Sequence, residues 1–458
     1  MTPAFRNMLA LLLVTALVIR VAAGWLWQSR LEGPFGMGDS DSYWTLALTI
    51  AEGKPYEYGP DHARVFRTPG YPILLAPILR FAGDGRGAVL WARAEAALLG
   101  VLAVACVWWL TRLLFDDRAA LITAALATFY PGAIAASMLI LSEAPFCPLL
   151  LFQLALWTMA WRAETRRQAT IYGFCGGLAA GVASLMRPSW LLFTPLAAAV
   201  GVLLGLATPN GLAGGLVRRD GGVSTRRASL PAKRSATLFR HLEIASWMLL
   251  GLAVAMLPWW VRNAGVTGQF VPTTLQVGAS LYDGLNPQAT GGSNMDFVPQ
   301  FESEQRQASA RAGDSASQDA FEVLLDRRMR DAAIAWAVAN PGRAVRLAGV
   351  KFLRIWNVWP NEPRLSSWPI RLVVFFTYTP LLFLAIIGGW RTVRRGWPYV
   401  LCWLPAVYLT LLHMVFVSSI RYRDPAMLAL LALAAGEIGI WEWGCGLGIR
   451  NWGLGTRD

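Results

Sequence analysis

Long apolar runs separated by short polar breaks dominate this chain. Several reach the roughly 20 residues that a helix needs to cross a bilayer. The pattern predicts spans near 8–28, 88–111, 119–137, 143–161, 169–186, 189–207, 244–261, 370–390, 397–417 and 424–442. Each is expected to be helical, because lipid offers backbone polar groups no partner outside the helix. Two long segments interrupt the rhythm. Segment 29–87 holds a second apolar piece, Pro69 to Phe81, too short to span and carrying Pro69, Pro72 and Pro77. Such a piece suits a re-entrant or surface-lying helix. Segment 262–369 is polar and rich in Gly, Ser and Asn from Gly278 to Ser317, and has helical periodicity from Phe321 to Val338. It breaks at Asn340-Pro341-Gly342 and resumes to Trp356, with Arg343, Arg346, Lys351 and Arg354 set among apolar positions. A helix of that kind lies on a membrane surface or covers a cavity. The chain thus divides into a membrane module 1–261 that includes the first loop, a large polar segment 262–369, and closing helices 370–458.

Composition sharpens this reading. Hydrophobic residues make up 55% of the 458 positions and charged ones 15%, with a mean hydropathy of +0.43, which excludes an ordinary soluble domain. Arg6, the run from Met8 and Ala22-Ala23-Gly24 resemble a secretory signal. Arg20 interrupts that run, however, and Trp25 and Trp27 fit an interfacial belt, so a retained first span is expected. The net charge of +13 does not indicate nucleic acid, since the basic residues are scattered over loops with no aromatic-interleaved groove. They gather instead on alternate connections: Arg112 and Arg118, then Arg162, Arg166 and Arg167, then Arg391, Arg394 and Arg395. Loop 208–243 adds Arg218, Arg219, Arg226, Arg227, Lys233, Arg234 and Arg240, and is expected to be a disordered inside loop near anionic lipid. The positive-inside rule then puts these loops in the cytosol and segments 29–87 and 262–369 outside. Five cysteines with no CxxC or Cys/His spacing support neither a disulfide framework nor a zinc site.

The unusual polar residues sort to the outer side of this topology. They are Asp39 and Asp41 after the first span, Arg67, Ser142 and Glu143, Arg187, His413, and Arg421, Tyr422 and Arg423. On a short helix Asp39 and Tyr43 share a face at i, i+4, while Asp41 points elsewhere. Each residue also has a plain explanation. Asp39, Ser40 and Asp41 are good N-caps, Glu143 suits a helix start, and Arg187 before Pro188 can anchor a turn. Arg421 and Arg423 can snorkel, and His413 can be an interior histidine. Gly177 and Gly181 form a GxxxG pattern that close helix packing explains, and Pro258-Trp259-Trp260 reads as an aromatic belt. Acids and arginines together at one membrane face suit an anionic lipid phosphate beside a proton acceptor, because the planar guanidinium fork matches phosphate oxygens.

At these residues the sequence resembles the GT-C membrane glycosyltransferases, in the branch of the dolichyl-phosphate-mannose protein mannosyltransferases and the aminoarabinose-to-lipid A transferase. Asp39-Ser40-Asp41-Ser42-Tyr43 is similar to the acidic first outer loop, and Arg67-Thr68-Pro69-Gly70-Tyr71-Pro72 to the segment that follows it. Leu141-Ser142-Glu143 resembles the second acidic loop. Pro258 to Asn263, Gly268 to Pro272 and Asn286-Pro287 resemble the start of the outer domain, and Arg421 to Pro425 a closing motif. The resemblance implies an all-α polytopic bundle of about ten spans in a plasma (inner) membrane. It implies an inverting transferase of cell-envelope glycosylation that takes a sugar from a polyprenyl-phosphate donor on the periplasmic or exterior face. Asp39 or Asp41 would be the base, and Arg67 would bind the donor phosphate with help from Arg187, Arg421 or Arg423. Tyr43, Tyr71, Glu143, Tyr422 and His413 would complete the site. The first loop reads Asp-Ser-Asp rather than adjacent Asp-Glu, which leaves the division between its acids open. No histidine-acid cluster accompanies Glu143, so a divalent cation (Mg or Mn) on Asp41 and Glu143 is admitted rather than required. The acceptor stays open among lipid, polysaccharide and protein. The alternative is a transporter or flippase for a polyprenyl-linked or other anionic lipid; a non-catalytic scaffold on the same fold is a third reading.

Overall fold

The computed structural model describes residues 2–36, 38–207, 230–311, 318–360 and 367–444. Most of the basic 208–243 loop, including Arg218, Arg219, Arg226 and Arg227, lies outside them, as does Cys445. The chain is an all-α, multi-pass membrane protein. Its helices run in order α1 (Pro3–Ser29), α2 (Gly38–Ala51), α3 (Gly70–Ala82), α4 (Arg86–Leu114), α5 (Asp117–Phe129) and α6 (Pro131–Met138). They continue as α7 (Glu143–Arg162), α8 (Arg166–Met186), α9 (Phe193–Ala207), α10 (Leu230–Thr267), α11 (Val277–Gly284) and α12 (Val298–Arg311). The series closes with α13 (Gln318–Ala339), α14 (Pro341–Ile355), α15 (Trp368–Val393), α16 (Val400–Val415) and α17 (Asp424–Gly444).

Among the described residues, seven helices are long and apolar enough to cross a membrane, or eight if one bent pair counts as a single span. Ten were expected. The two outside this tally are the last two. The expected 397–417 narrows to the 16 residues of α16, and the expected 424–442 is α17. The bent pair replaces the expected straight span 119–137: α5 stops before Tyr130, α6 restarts at Pro131, and the axis turns by 57°. Proline has no N–H to continue the ladder and disfavours helical geometry in the residue before it. The break strands carbonyls at the end of α5. Arg20, only 1% exposed inside α1, meets them: its Nη2 donates to Ala127 at 3.0 Å and its Nη1 to Thr128 at 3.4 Å. The charge that interrupts the first apolar run is therefore the partner of a broken helix a hundred residues away.

The bundle core is built on α4, α7, α8 and α10, each packed on the next. The GxxxG pattern on α8 does what it predicts. A Cβ added at Gly177 would fall 2.1 Å from the Met248 carbonyl oxygen on α10, and one at Gly251 2.2 Å from that of Phe174 on α8. Backbones this close leave no room for a methyl group. Beyond α10, helices α11–α14 form a second layer in which α11 packs on α13. The expected break at Asn340-Pro341 falls between α13 and α14.

A Gly177→Ala substitution is therefore expected to destabilise the protein by about 1–3 kcal/mol through overpacking. Gly265→Ala on α10, where nothing lies within 4 Å, serves as the control. Thermal melts in detergent measure both; equal melting temperatures for the two variants would contradict the close α8–α10 seam.

Candidate active site

One turn of α2 begins the site. Asp39 lies in its first turn, where the free N–H groups favour a carboxylate. Its Oδ1 accepts from Arg67 Nη2 at 2.8 Å, and its Oδ2 accepts from Arg421 Nη2. Arg421 reaches onward, its Nε lying 3.1 Å from Glu143 Oε1. Arg187 Nη1 stands 2.7 Å from the same oxygen. Two acids and three arginines from five chain segments thus form one continuous chain of charge. Glu143 opens α7 and Arg187 follows α8, and the two helices pack as a hairpin, so the start of one lies beside the end of the other.

Aromatic rings fix the guanidinium planes. Arg67 sits 5.3 Å from the Tyr43 ring centroid and 5.2 Å from that of Phe66. Tyr43 meets Tyr71 edge to face at 5.3 Å. Arg187 and Arg421 lie 5.0 and 5.1 Å from the Tyr422 centroid, and His413 stacks on Tyr422 at 4.1 Å. The His413 Nδ1–H donates to the Val417 carbonyl at 2.8 Å, so the proton is on Nδ1 and the Nε2 lone pair is left as an acceptor.

Two of the expected site residues lie apart from this cluster. Asp41 is exposed and accepts from the Tyr58 hydroxyl at 3.4 Å. Arg423 turns the other way: its Nη1 donates to the Ile355 and Asn357 carbonyls, and its guanidinium lies 3.7 Å from the Tyr378 ring centroid. Residues 420–422 form a tight 3₁₀ turn, which sends Arg421 and Arg423 to different sides. Asp424 goes to the Tyr130 hydroxyl at 2.8 Å.

Several positioning residues lay outside the sequence reading. Ser42 accepts from Arg67 Nε at 3.2 Å and donates to the Asp39 carbonyl at 2.8 Å; its place three residues after Asp39 was the available signal. The backbone before Arg67 is held from far away. Glu322 on α13 accepts from the Arg64 and Val65 N–H groups at 3.0 and 3.1 Å, Val65 accepts from Leu275 N–H at 2.9 Å, and Tyr56 donates to the Arg67 carbonyl at 3.2 Å. The Trp259 and Trp260 indoles donate to the Thr273 and Pro272 carbonyls at 2.7 and 2.9 Å and fasten that returning segment. On α14, Lys351 is fully buried. Its Nζ donates to the Gly284 and Val415 carbonyls at 2.9 and 2.7 Å, tying the ends of α11 and α16 together just before the Arg421 turn.

Electrostatics follow from this geometry. Burial pushes the Asp39 carboxyl up, but Arg67 and Arg421 together outweigh it and hold Asp39 well below the usual carboxylate range. Asp39 is therefore ionised throughout the neutral range. The two acids differ in access: the Asp39 side chain is 33% exposed and that of Glu143 is 4%.

Residues 66–210 match the family described as dolichyl-phosphate-mannose-protein mannosyltransferase. No curated protein matches the chain. Among solved structures, the archaeal oligosaccharyltransferase AglB from Archaeoglobus fulgidus, in complex with an inhibitory peptide and a dolichol-phosphate, aligns with a TM-score of 0.57 at 16% identity, over 98% of this chain and 52% of that one. The Archaeoglobus fulgidus oligosaccharyltransferase tethered to an acceptor peptide gives 0.54 at 15% identity, over 98% and 51%. The chain has a GT-C-type fold, shared with these oligosaccharyltransferases. It spans about half the length of those two oligosaccharyltransferases. ArnT from Cupriavidus metallidurans bound to undecaprenyl phosphate aligns over 94% of this chain and 78% of its own at 16% identity, with a TM-score of 0.44. The family match starts one residue before Arg67 and includes Glu143 and Arg187, so three of the five clustered charges fall inside it.

Asp41 and Glu143, the pair considered for a cation, do not assemble into a donor set. Asp41 faces Tyr58 and Glu143 is held by two arginines. Among the described residues no three acidic, His or Cys side chains come together in a set that could hold a metal ion.

Arg187→Met leaves the buried Glu143 with half its compensation. Breaking a buried pair by removing one partner typically costs about 3–5 kcal/mol. A large drop in melting temperature is expected, partly restored in the double variant Arg187→Met/Glu143→Gln. A double variant no more stable than the single one would refute the coupling.

Proposed function

We propose that this protein is an inverting glycosyltransferase that moves a sugar from a polyprenyl-phosphate donor to an acceptor on the non-cytosolic face of the membrane. The observation that carries this reading is the cluster of three arginines around two carboxylates, at helix ends where chain leaves the bundle. Guanidinium groups suit a lipid phosphate as it becomes the leaving group, and preorganised cations act most strongly where charge develops in the reaction. Dolichol-phosphate in the aligned AglB complex agrees with such a ligand. The basic loops on the opposite side support the outward orientation.

In this mechanism Arg67 and Arg421 hold the donor phosphate, with Arg187 keeping Glu143 and Arg421 in register. Asp39 takes the proton from an acceptor hydroxyl or amine as that atom forms its bond to C1 of the sugar. The C1–O bond to phosphate breaks on the opposite side, and its electron pair leaves with the lipid phosphate. Inversion at C1 follows from the single displacement. The transporter reading uses the same arginines without bond cleavage, so cleavage separates the two.

Purified protein is incubated with a panel of undecaprenyl-phosphoryl hexoses and pentoses, and released undecaprenyl phosphate is measured. Release is expected for one donor class. Asp39→Asn is expected to lower the rate by about 10²–10⁴-fold, typical of losing a general base, with donor still bound. Transbilayer movement of donor with no release would establish the transporter instead.

A further inference from the structure

The two carboxylates of the cluster do not stand in equivalent places. Glu143 is enclosed, 4% exposed, and lies within 3.1 Å of both Arg187 and Arg421. Asp39 is one-third exposed and occupies the outward ends of Arg67 and Arg421, taking one oxygen to each. That position, between two guanidinium groups with a separate oxygen for each, is the one a phosphate needs for the same two donors. We infer that Asp39 is the resting occupant of the phosphate position, and that a polyprenyl phosphate binds by exchange, displacing the Asp39 carboxylate from Arg67 and Arg421 while Glu143 stays in place. This rests on the reading of the arginines as a phosphate site.

Geometry favours exchange over simple addition. Arg421 can turn its Nη2 to an incoming phosphate while its Nε stays beside Glu143, because its two contacts use different nitrogens. Arg67 likewise keeps its Nε on the Ser42 hydroxyl while Nη2 is exchanged. Asp39 lies in the first turn of α2 with its side chain partly in solvent, so water can take over its oxygens on release. Glu143 has no such outlet, and freeing it would bury a naked charge.

The exchange also couples binding to chemistry. With both arginines on it, Asp39 binds a proton weakly. Once phosphate has taken those arginines, the released carboxylate stands beside an anion instead of two cations, and both changes raise its proton affinity. The group becomes an effective base only when the donor is in place.

The competition has a measurable sign. If Asp39 holds the arginines most of the time, apparent affinity is reduced by the fraction of time they are free. Binding of undecaprenyl phosphate in detergent micelles, and of inorganic phosphate as the bare headgroup, is followed by tryptophan fluorescence for wild type, Asp39→Asn and Arg421→Ala. Asp39→Asn is expected to bind undecaprenyl phosphate more tightly, by about tenfold if the free state is about one-tenth populated, although it loses transfer. Arg421→Ala is expected to bind more weakly. Inorganic phosphate tightened in the same proportion by Asp39→Asn supports exchange at the headgroup alone; tightening confined to the lipid supports exchange that also needs the tail. Equal or weaker binding by Asp39→Asn overturns the exchange while leaving the phosphate site intact. No binding by any of the three proteins overturns the proposed function itself, and the exchange with it. A second measurement needs no variant: in wild type, an acid limb is expected in the pH profile of kcat at higher pH than in that of kcat/KM, since the first reports the donor complex and the second the free enzyme. Coincident limbs would sink the inference.

Discussion

The structure depends on neutralising charge where water is scarce. Arg421 stands at the centre because it touches both acids, each of which has a second arginine of its own. Guanidinium groups suit this place better than ammonium groups would, since separate nitrogens of one planar fork can serve two partners. The arrangement stores five charges, three positive and two negative, and so leaves one surplus positive charge. An anion is what such a surplus favours.

Holding that surplus in place is the task of segments remote in sequence. Arg67 lies on a loop with no helix of its own, and its backbone is fixed by Tyr56, by the Val65–Leu275 link and by Glu322. Arg421 lies on a short turn fixed by Lys351 and by Ser418, whose hydroxyl donates to the Lys351 carbonyl at 2.7 Å. The second layer of helices thus acts as the frame of the arginines. This accounts for a long polar segment in a chain otherwise built to be in lipid.

Much of this was legible in the residue pattern, and the limits are physical. The apolar runs mark helices because lipid enforces backbone pairing, and the α8 GxxxG pattern marks a close seam because only glycine permits one. The shared face of Asp39 and Tyr43 and the break at Asn340-Pro341 follow from local geometry. What the pattern could not supply is which partner each charge takes. Arg187 and Glu143 were both candidates, yet nothing in their spacing says that they pair. Arg421 and Arg423 look alike in sequence and diverge because a 3₁₀ turn separates them. Glu322 binds a loop 257 residues away, a distance at which no periodicity speaks. The bend at Tyr130–Pro131 was hidden because one proline in an apolar run is compatible with a straight span as well as a broken one.

That bend has a consequence for the first helix. An apolar segment of the right length is usually interchangeable with another, since lipid tests only greasiness and reach. Here α1 also delivers the guanidinium that meets the carbonyls at the end of α5. A generic anchor grafted in place of residues 3–29 would enter the bilayer just as well and yet leave Ala127 and Thr128 bare. The segment that most resembles disposable packaging is part of the masonry.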